Sequence, residues 1–138
     1  MCYRLWLFTK TDTMIKTLLF VGIGSFAGGA LRYAVGQMLK GVAGGAFPLG
    51  TFIVNVVGCF LIGLFNGLFA KATNVEISPE IRLMLTVGLC GGFTTFSTFI
   101  NENFLLMRGS QLAVAILYLV LSLVIGTLAL WGGYNIVK

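Results

Sequence analysis

Histidine is absent from this chain of 138 residues, which removes histidine-based triads and most zinc sites. Charge is scarce as well. Asp, Glu, Lys and Arg make up 9% of the residues, against about 25% in a soluble domain. Nine basic residues outnumber four acidic ones, for a formal net charge of +5. The basic residues are scattered and build no stripe, so no nucleic-acid partner is expected. Cysteine is the third shortage. Cys2, Cys59 and Cys90 are odd in number and show no CxxC spacing. Those inside apolar runs read as small apolar packers. No enzyme chemistry is expected from such an inventory.

What is present in excess is apolar. Hydrophobic residues make up 58% of the chain and mean hydropathy is +1.00, the composition of a membrane protein. Four stretches approach the roughly 20 residues needed to cross the hydrocarbon core: residues 17–39, 47–70, 81–107 and 112–137. Short connections separate them: a Gly-rich 40–46, a polar 71–80 and a tight 108–111. Residues 14–138 therefore read as one four-helix transmembrane domain. Residues 1–13, with Arg4, Lys10 and Asp12, read as an extension outside it, non-native or disordered, with Met14 as an alternative start. A cleaved signal peptide is not expected, because the first apolar stretch has full spanning length.

Loop charge gives almost no preferred orientation. From Met14 onward one side carries Lys16, Lys71, Arg82 and Lys138, offset by Glu76 and Glu80, and the other Lys40, Arg108 and a snorkelling Arg32. The positive-inside rule needs a clear excess on one side, so such a chain can insert both ways.

The third stretch contains Gly88-Leu89-Cys90-Gly91-Gly92-Phe93-Thr94-Thr95-Phe96-Ser97-Thr98-Phe99. Glycine disfavours helix, and hydroxyl side chains offer the backbone competing hydrogen bonds. A break near the Gly-Gly pair is expected, and broken backbone at membrane depth survives only where protein buries it or a cavity receives it. Phe93, Phe96 and Phe99, spaced by three, fall near one helix face. That stripe is packing, or, with Thr94, Thr95, Ser97 and Thr98 between the rings, a wall of electropositive ring edges and donors suited to a small anion.

Other residues keep two readings. Asn55, mid-span in the second stretch, is either an interhelical hydrogen bonder or a pore-facing donor. Arg32 either snorkels to the interface or gives a vestibule positive potential. Glu102 lies on the motif's helical face and is either a pathway carboxylate or an interfacial residue at a helix end. Gly22-Ile23-Gly24 mimics a dinucleotide fingerprint without its context, since no βαβ unit follows. The spacings Gly24/Gly28 and Gly63/Gly67 suit close helix packing instead.

With these motifs in place, the chain resembles the Fluc (CrcB-type) fluoride channels from Met14 to its end. The likeness rests on Gly28-Gly29-Ala30-Leu31-Arg32-Tyr33, on Gly50-Thr51 through Asn55 and Gly58, on Gly91 to Phe99, and on Tyr118 with Ser122. It implies an all-α membrane protein of four transmembrane helices, the third broken near its middle, paired as an antiparallel dual-topology homodimer in the bilayer of a bacterial inner membrane. It implies a structural sodium ion held by the backbone carbonyls of Gly91 and Thr94 from both chains. It also implies two fluoride pores per dimer, lined by Phe96 and Phe99 facing Asn55, with Ser97, Thr98, Glu102 and Tyr118 as a polar track and Arg32 at the vestibule. The chain departs from the family pattern in its extension and in Phe93, where leucine is common.

The activity so implied is passive export of cytoplasmic fluoride. The alternative is a proton-coupled small multidrug exporter of dual topology, but its usual first-helix acid is replaced here by Arg32.

Overall fold

The computed structural model describes residues 2–42, 45–71 and 77–137, with side chains from residue 13 onward. All regular elements among them are helical: α1 Cys2–Met38, α2 Leu49–Lys71, α3 Pro79–Leu83, a π-helical segment Met84–Cys90, α4 Gly91–Phe93, α5 Phe96–Arg108 and α6 Leu112–Ile136. Elements α3 to α5 run on as one interrupted rod. Four rods are long and apolar enough to cross a membrane: Thr13–Met38, Leu49–Lys71, Pro79–Arg108 and Leu112–Ile136. Their ends fall within four residues of the expected stretches. Their flanks expose large apolar side chains such as Leu18, Phe26, Leu123 and Leu128, which hydrocarbon tolerates and water does not. The protein is an integral, multi-pass membrane protein.

Met1 and the side chains of residues 2–12 lie outside the described residues, as do Glu76 and Lys138 of the charge count. The backbone of the expected extension joins α1 from Cys2 onward.

Two glycine ladders set the packing. In the first, α2 lies along α6: a methyl added to Gly63 would strike the backbone of Leu130, and one on Gly133 that of Phe60. In the second, α1 lies along the third rod. A methyl on Gly24 would overlap the Met84 carbonyl, and one on Gly28 the Leu89 carbonyl. From the opposite side, a methyl on Gly92 would sit 2.6 Å from the Ser25 carbonyl oxygen. Lipid tails are as apolar as leucine, so close backbone approach rather than hydrophobicity draws such helices together. The packing reading of both spacings holds.

The third rod starts at Ser78, whose hydroxyl accepts from Ile81 N at 3.4 Å, with Pro79 at the first helical position. Lys16 pairs with Glu80 at 3.0 Å and ties that start to α1. The rod is broken as expected, but not at its glycines. Gly91 keeps helical backbone (φ −65, ψ −35), while Thr94 and Thr95 are extended (φ −79, ψ 157 and φ −148, ψ 115). Gly88 and Gly92 are there for the approach of α1, and the break falls on the next two threonines. Phe93 and Phe99 are buried and Phe96 is 75% exposed, so the three do not share one face.

Candidate functional site

The break is held by Asn55, which reaches across from α2. The Thr95 N–H donates to Asn55 Oδ1 at 2.8 Å, and Asn55 Nδ2 donates to the Thr95 carbonyl at 3.2 Å. One carboxamide thus replaces both partners that a helical neighbour would have given this buried residue. Of the two readings of Asn55, the interhelical bond is present. One Nδ2 hydrogen is left over after it.

Thr95 then starts α5. Its Oγ1 accepts from Thr98 N at 3.3 Å and donates to Thr98 Oγ1 at 3.0 Å, with Ser97 Oγ 3.4 Å away. These diversions free two carbonyls. In an unbroken helix Thr95 N–H returns to Gly91 and Thr98 N–H to Thr94. Here the first goes to Asn55 and the second to the Thr95 side chain. The Thr94 hydroxyl folds back onto the Cys90 carbonyl at 2.9 Å, leaving only the backbone oxygen of Thr94 turned loose.

Below the break, α5 and α6 bring a carboxylate and rings together. Glu102 accepts from Tyr118 OH at Oε2 and from Thr51 Oγ1 at Oε1, both at 2.8 Å. Tyr118 is fully buried, with the ring of Phe99 edge-on at 4.9 Å and 65°. Phe96 follows Phe99 at 6.1 Å. Phe99, Leu106, Ala115 and Tyr118 form the buried apolar cluster that fixes this geometry. Asn103, buried one turn along, turns its amide onto the Phe99 carbonyl at 2.9 Å. Glu102 is therefore a half-buried, hydrogen-bonded carboxylate that also borders two open cavities.

Arg32 lines a cavity of about 400 Å³ together with Lys40, Thr51, Thr95 and Thr98, so the first-helix cation opens onto the break. The structure thus joins Arg32, Asn55, Thr98, Phe99, Glu102 and Tyr118 around one locus. Phe96 and Ser97 belong to it by position but face outward from the single chain. Gly91 is exposed and contributes the freed carbonyl described above. Ser122, one turn beyond Tyr118, has a buried hydroxyl without a hydrogen-bond partner among the described residues. Cys90 is fully buried and Cys59 half-buried, in keeping with packing roles.

Two contributors, Thr51 and Phe47, were not legible as site residues, and Thr95 was legible as a donor but not as the cap at the break. Thr95 carries an N-cap signal, a hydroxyl residue directly before the helical Phe96-Ser97-Thr98, which the surrounding threonines disguise. Thr51 sits one turn before Asn55 on the same face of α2, a spacing that could have paired them. Phe47, whose ring lies 5.3 Å from Tyr118, belongs to the segment before α2 and carries no periodic signal.

Residues 19–134 match the family model described as CrcB-like protein, Camphor Resistance (CrcB). Proteins named fluoride-specific ion channel FluC are similar to the chain over most of its length. The one from Flavobacterium psychrophilum is 41% identical over 124 residues, covering 90% of this chain and 98% of the relative. The one from Chlorobium phaeobacteroides (strain DSM 266) is 47% identical over 119 residues, covering 86% and 90%. That from Chlorobaculum tepidum is 44% identical over 125 residues, covering 91% and 97%. Family model and relatives agree: the chain belongs to the CrcB-like family.

Proposed function

We propose that the protein is a passive fluoride channel of a bacterial inner membrane, working as an antiparallel homodimer with two pores. The observation that carries this reading is the broken third rod, whose hydroxyls, rings and carboxylate gather beside a cation-lined cavity within a membrane domain. The relatives' name supplies the ion, and the site supplies chemistry suited to it.

Fluoride holds water tightly, and moving a bare ion into a low-dielectric wall is prohibitive unless donors replace that water. Arg32 and Lys40 give the 400 Å³ cavity positive potential and raise the local anion concentration. Thr98 offers a hydroxyl in its wall, Ser97 and the spare Asn55 hydrogen lie next to its Thr95 and Thr98, and the edges of Phe96 and Phe99 continue them as positive quadrupole rims. Beside the rings, Tyr118 and Thr51 donate hydrogen bonds to Glu102, and an arriving ion competes with the carboxylate for these donors. Among the described residues no ammonium lies between the rings to trap the ion, as conduction requires. An inside-negative potential favours exit by about 2.3 kcal/mol per charge per 100 mV. The similar proteins are named as fluoride channels, which gives a proton-coupled drug exporter no support.

The outward Phe96, Ser97 and Thr98 support pairing with a second copy, since a pore wall open to lipid would lose the donors it needs. The near-even loop charge supports the antiparallel form. The freed carbonyls of Gly91 and Thr94 are the oxygen donors that a hard cation prefers, and two copies would double them. Sodium fits that set and would hold the two broken rods together.

Purified protein in liposomes loaded with fluoride tests the reading. Fluoride-electrode traces should show efflux driven by a potassium gradient with valinomycin, without dependence on a proton gradient. Chloride-loaded vesicles should stay silent. Efflux that requires a proton gradient, or equal chloride flux, overturns it.

A further inference from the structure

Phe47 lies outside the motifs and outside the broken rod, yet its ring reaches the centre of the site. Residues 45–48 lead into α2 without being helical. Their course is fixed by Pro48 and by two backbone bonds, Leu49 N to the Phe47 carbonyl at 2.8 Å and Phe52 N to the Pro48 carbonyl at 3.1 Å. From that rigid elbow the Phe47 ring packs on the buried cluster of Phe99, Leu106, Ala115 and Tyr118. It meets Tyr118 at 5.3 Å and 74°, and Phe52 at 5.5 Å and 71°.

Tyr118 is therefore clamped between two rings, Phe99 at 4.9 Å and Phe47 at 5.3 Å, and its hydroxyl is aimed at Glu102 as a result. Phe47 also forms part of the wall of a second cavity, of about 350 Å³, shared with Lys40, Thr51 and Glu102. A third cavity reaches Glu102 past Pro48 and Gln111. Phe47 and Glu102 both border the second cavity, while Tyr118 behind them is fully buried.

We propose that Phe47 is a selectivity-positioning residue: it screens the Tyr118 ring from the water-accessible cavity beside Glu102 and holds Tyr118 against Glu102. The inference rests on the fluoride-channel reading. Discrimination between halides by donor geometry works only where the wall, and not loose water, solvates the ion. Truncating the ring joins the cavity to the buried Tyr118 and lets water serve any halide there.

The test uses full-length protein in liposomes, with fluoride and chloride efflux measured separately for wild type, Phe47→Ala, Phe47→Leu and Phe47→Tyr. Phe47→Ala is expected to lower the fluoride-to-chloride flux ratio at least tenfold. Phe47→Leu, which keeps most of the volume but loses the ring edge, should lower it less, and Phe47→Tyr should keep it. Size-exclusion elution confirms folding, and Phe47→Leu carries the test if the alanine variant is lost. An unchanged ratio in Phe47→Leu together with Phe47→Ala, or in Phe47→Leu alone where the alanine variant does not fold, overturns the proposal. So does a fall in total flux that leaves the ratio intact, because support of the fold alone would produce it. Failure of wild type to conduct fluoride is a separate outcome and strikes the parent reading instead.

Discussion

Replacing Asn55 is the most informative perturbation, because one side chain supplies both backbone partners of Thr95. Asn55→Leu preserves approximate volume and removes both bonds. The N–H at 2.8 Å loses its acceptor in a buried residue, at a cost of about 1–3 kcal/mol, and the carbonyl at 3.2 Å loses a weaker donor. The sum, about 2–4 kcal/mol, is large against the free energy that holds a small domain together. Thr95 then has reason to recover a helical partner at Gly91, straightening the rod. Asn55→Asp separates the two bonds. Its carboxylate still accepts from the Thr95 N–H but sets a second anionic oxygen against the Thr95 carbonyl, and it repels a passing anion. Protonation supplies the missing donor, so lowering the pH should restore part of the flux in Asn55→Asp and none in Asn55→Leu. Electrode-monitored efflux across a pH series, beside thermal melting in detergent, reads both effects. A leucine variant that melts and conducts like wild type would refute the assignment of Asn55 as the holder of the break.

The remaining expectations follow from the same geometry. Gly28→Ala should lower melting stability by about 1–3 kcal/mol, since the new methyl strikes the Leu89 carbonyl, whereas Gly29→Ala, with nothing within 4 Å, should be neutral in detergent melts. Glu102→Gln leaves one carbonyl oxygen to serve two donors, Tyr118 and Thr51, so efflux should fall, and adding Tyr118→Phe should cost less than the two single effects combined. Phe96→Ile should cut efflux while melting is unchanged, because that ring is 75% exposed in the single chain. Phe99→Ile should cut both, because Phe99 is 5% exposed and packs on Tyr118.

The number of spans, their limits and the glycine packing faces were legible because each is written in one segment of chain. Apolar length sets the spans, and a spacing of four sets the small-residue faces. The existence of a break was legible for the same reason, since glycines and hydroxyls together weaken a helix locally. Its position was not. Gly91 and Gly92 are the poorer helix formers by propensity, and yet both stay helical while Thr94 and Thr95 unwind. What decides is the partner forty residues earlier in sequence: backbone in a membrane opens where another side chain can take both its hydrogen bonds, and Asn55 lies opposite Thr95. The same long-range logic explains the other residues that local reading missed. Thr51 becomes part of the site only because α2 brings it against Glu102, and Phe47 only because a fixed elbow brings it against Tyr118. A weak local signal therefore tells where a membrane helix is permitted to break, and a facing donor–acceptor pair settles where it does.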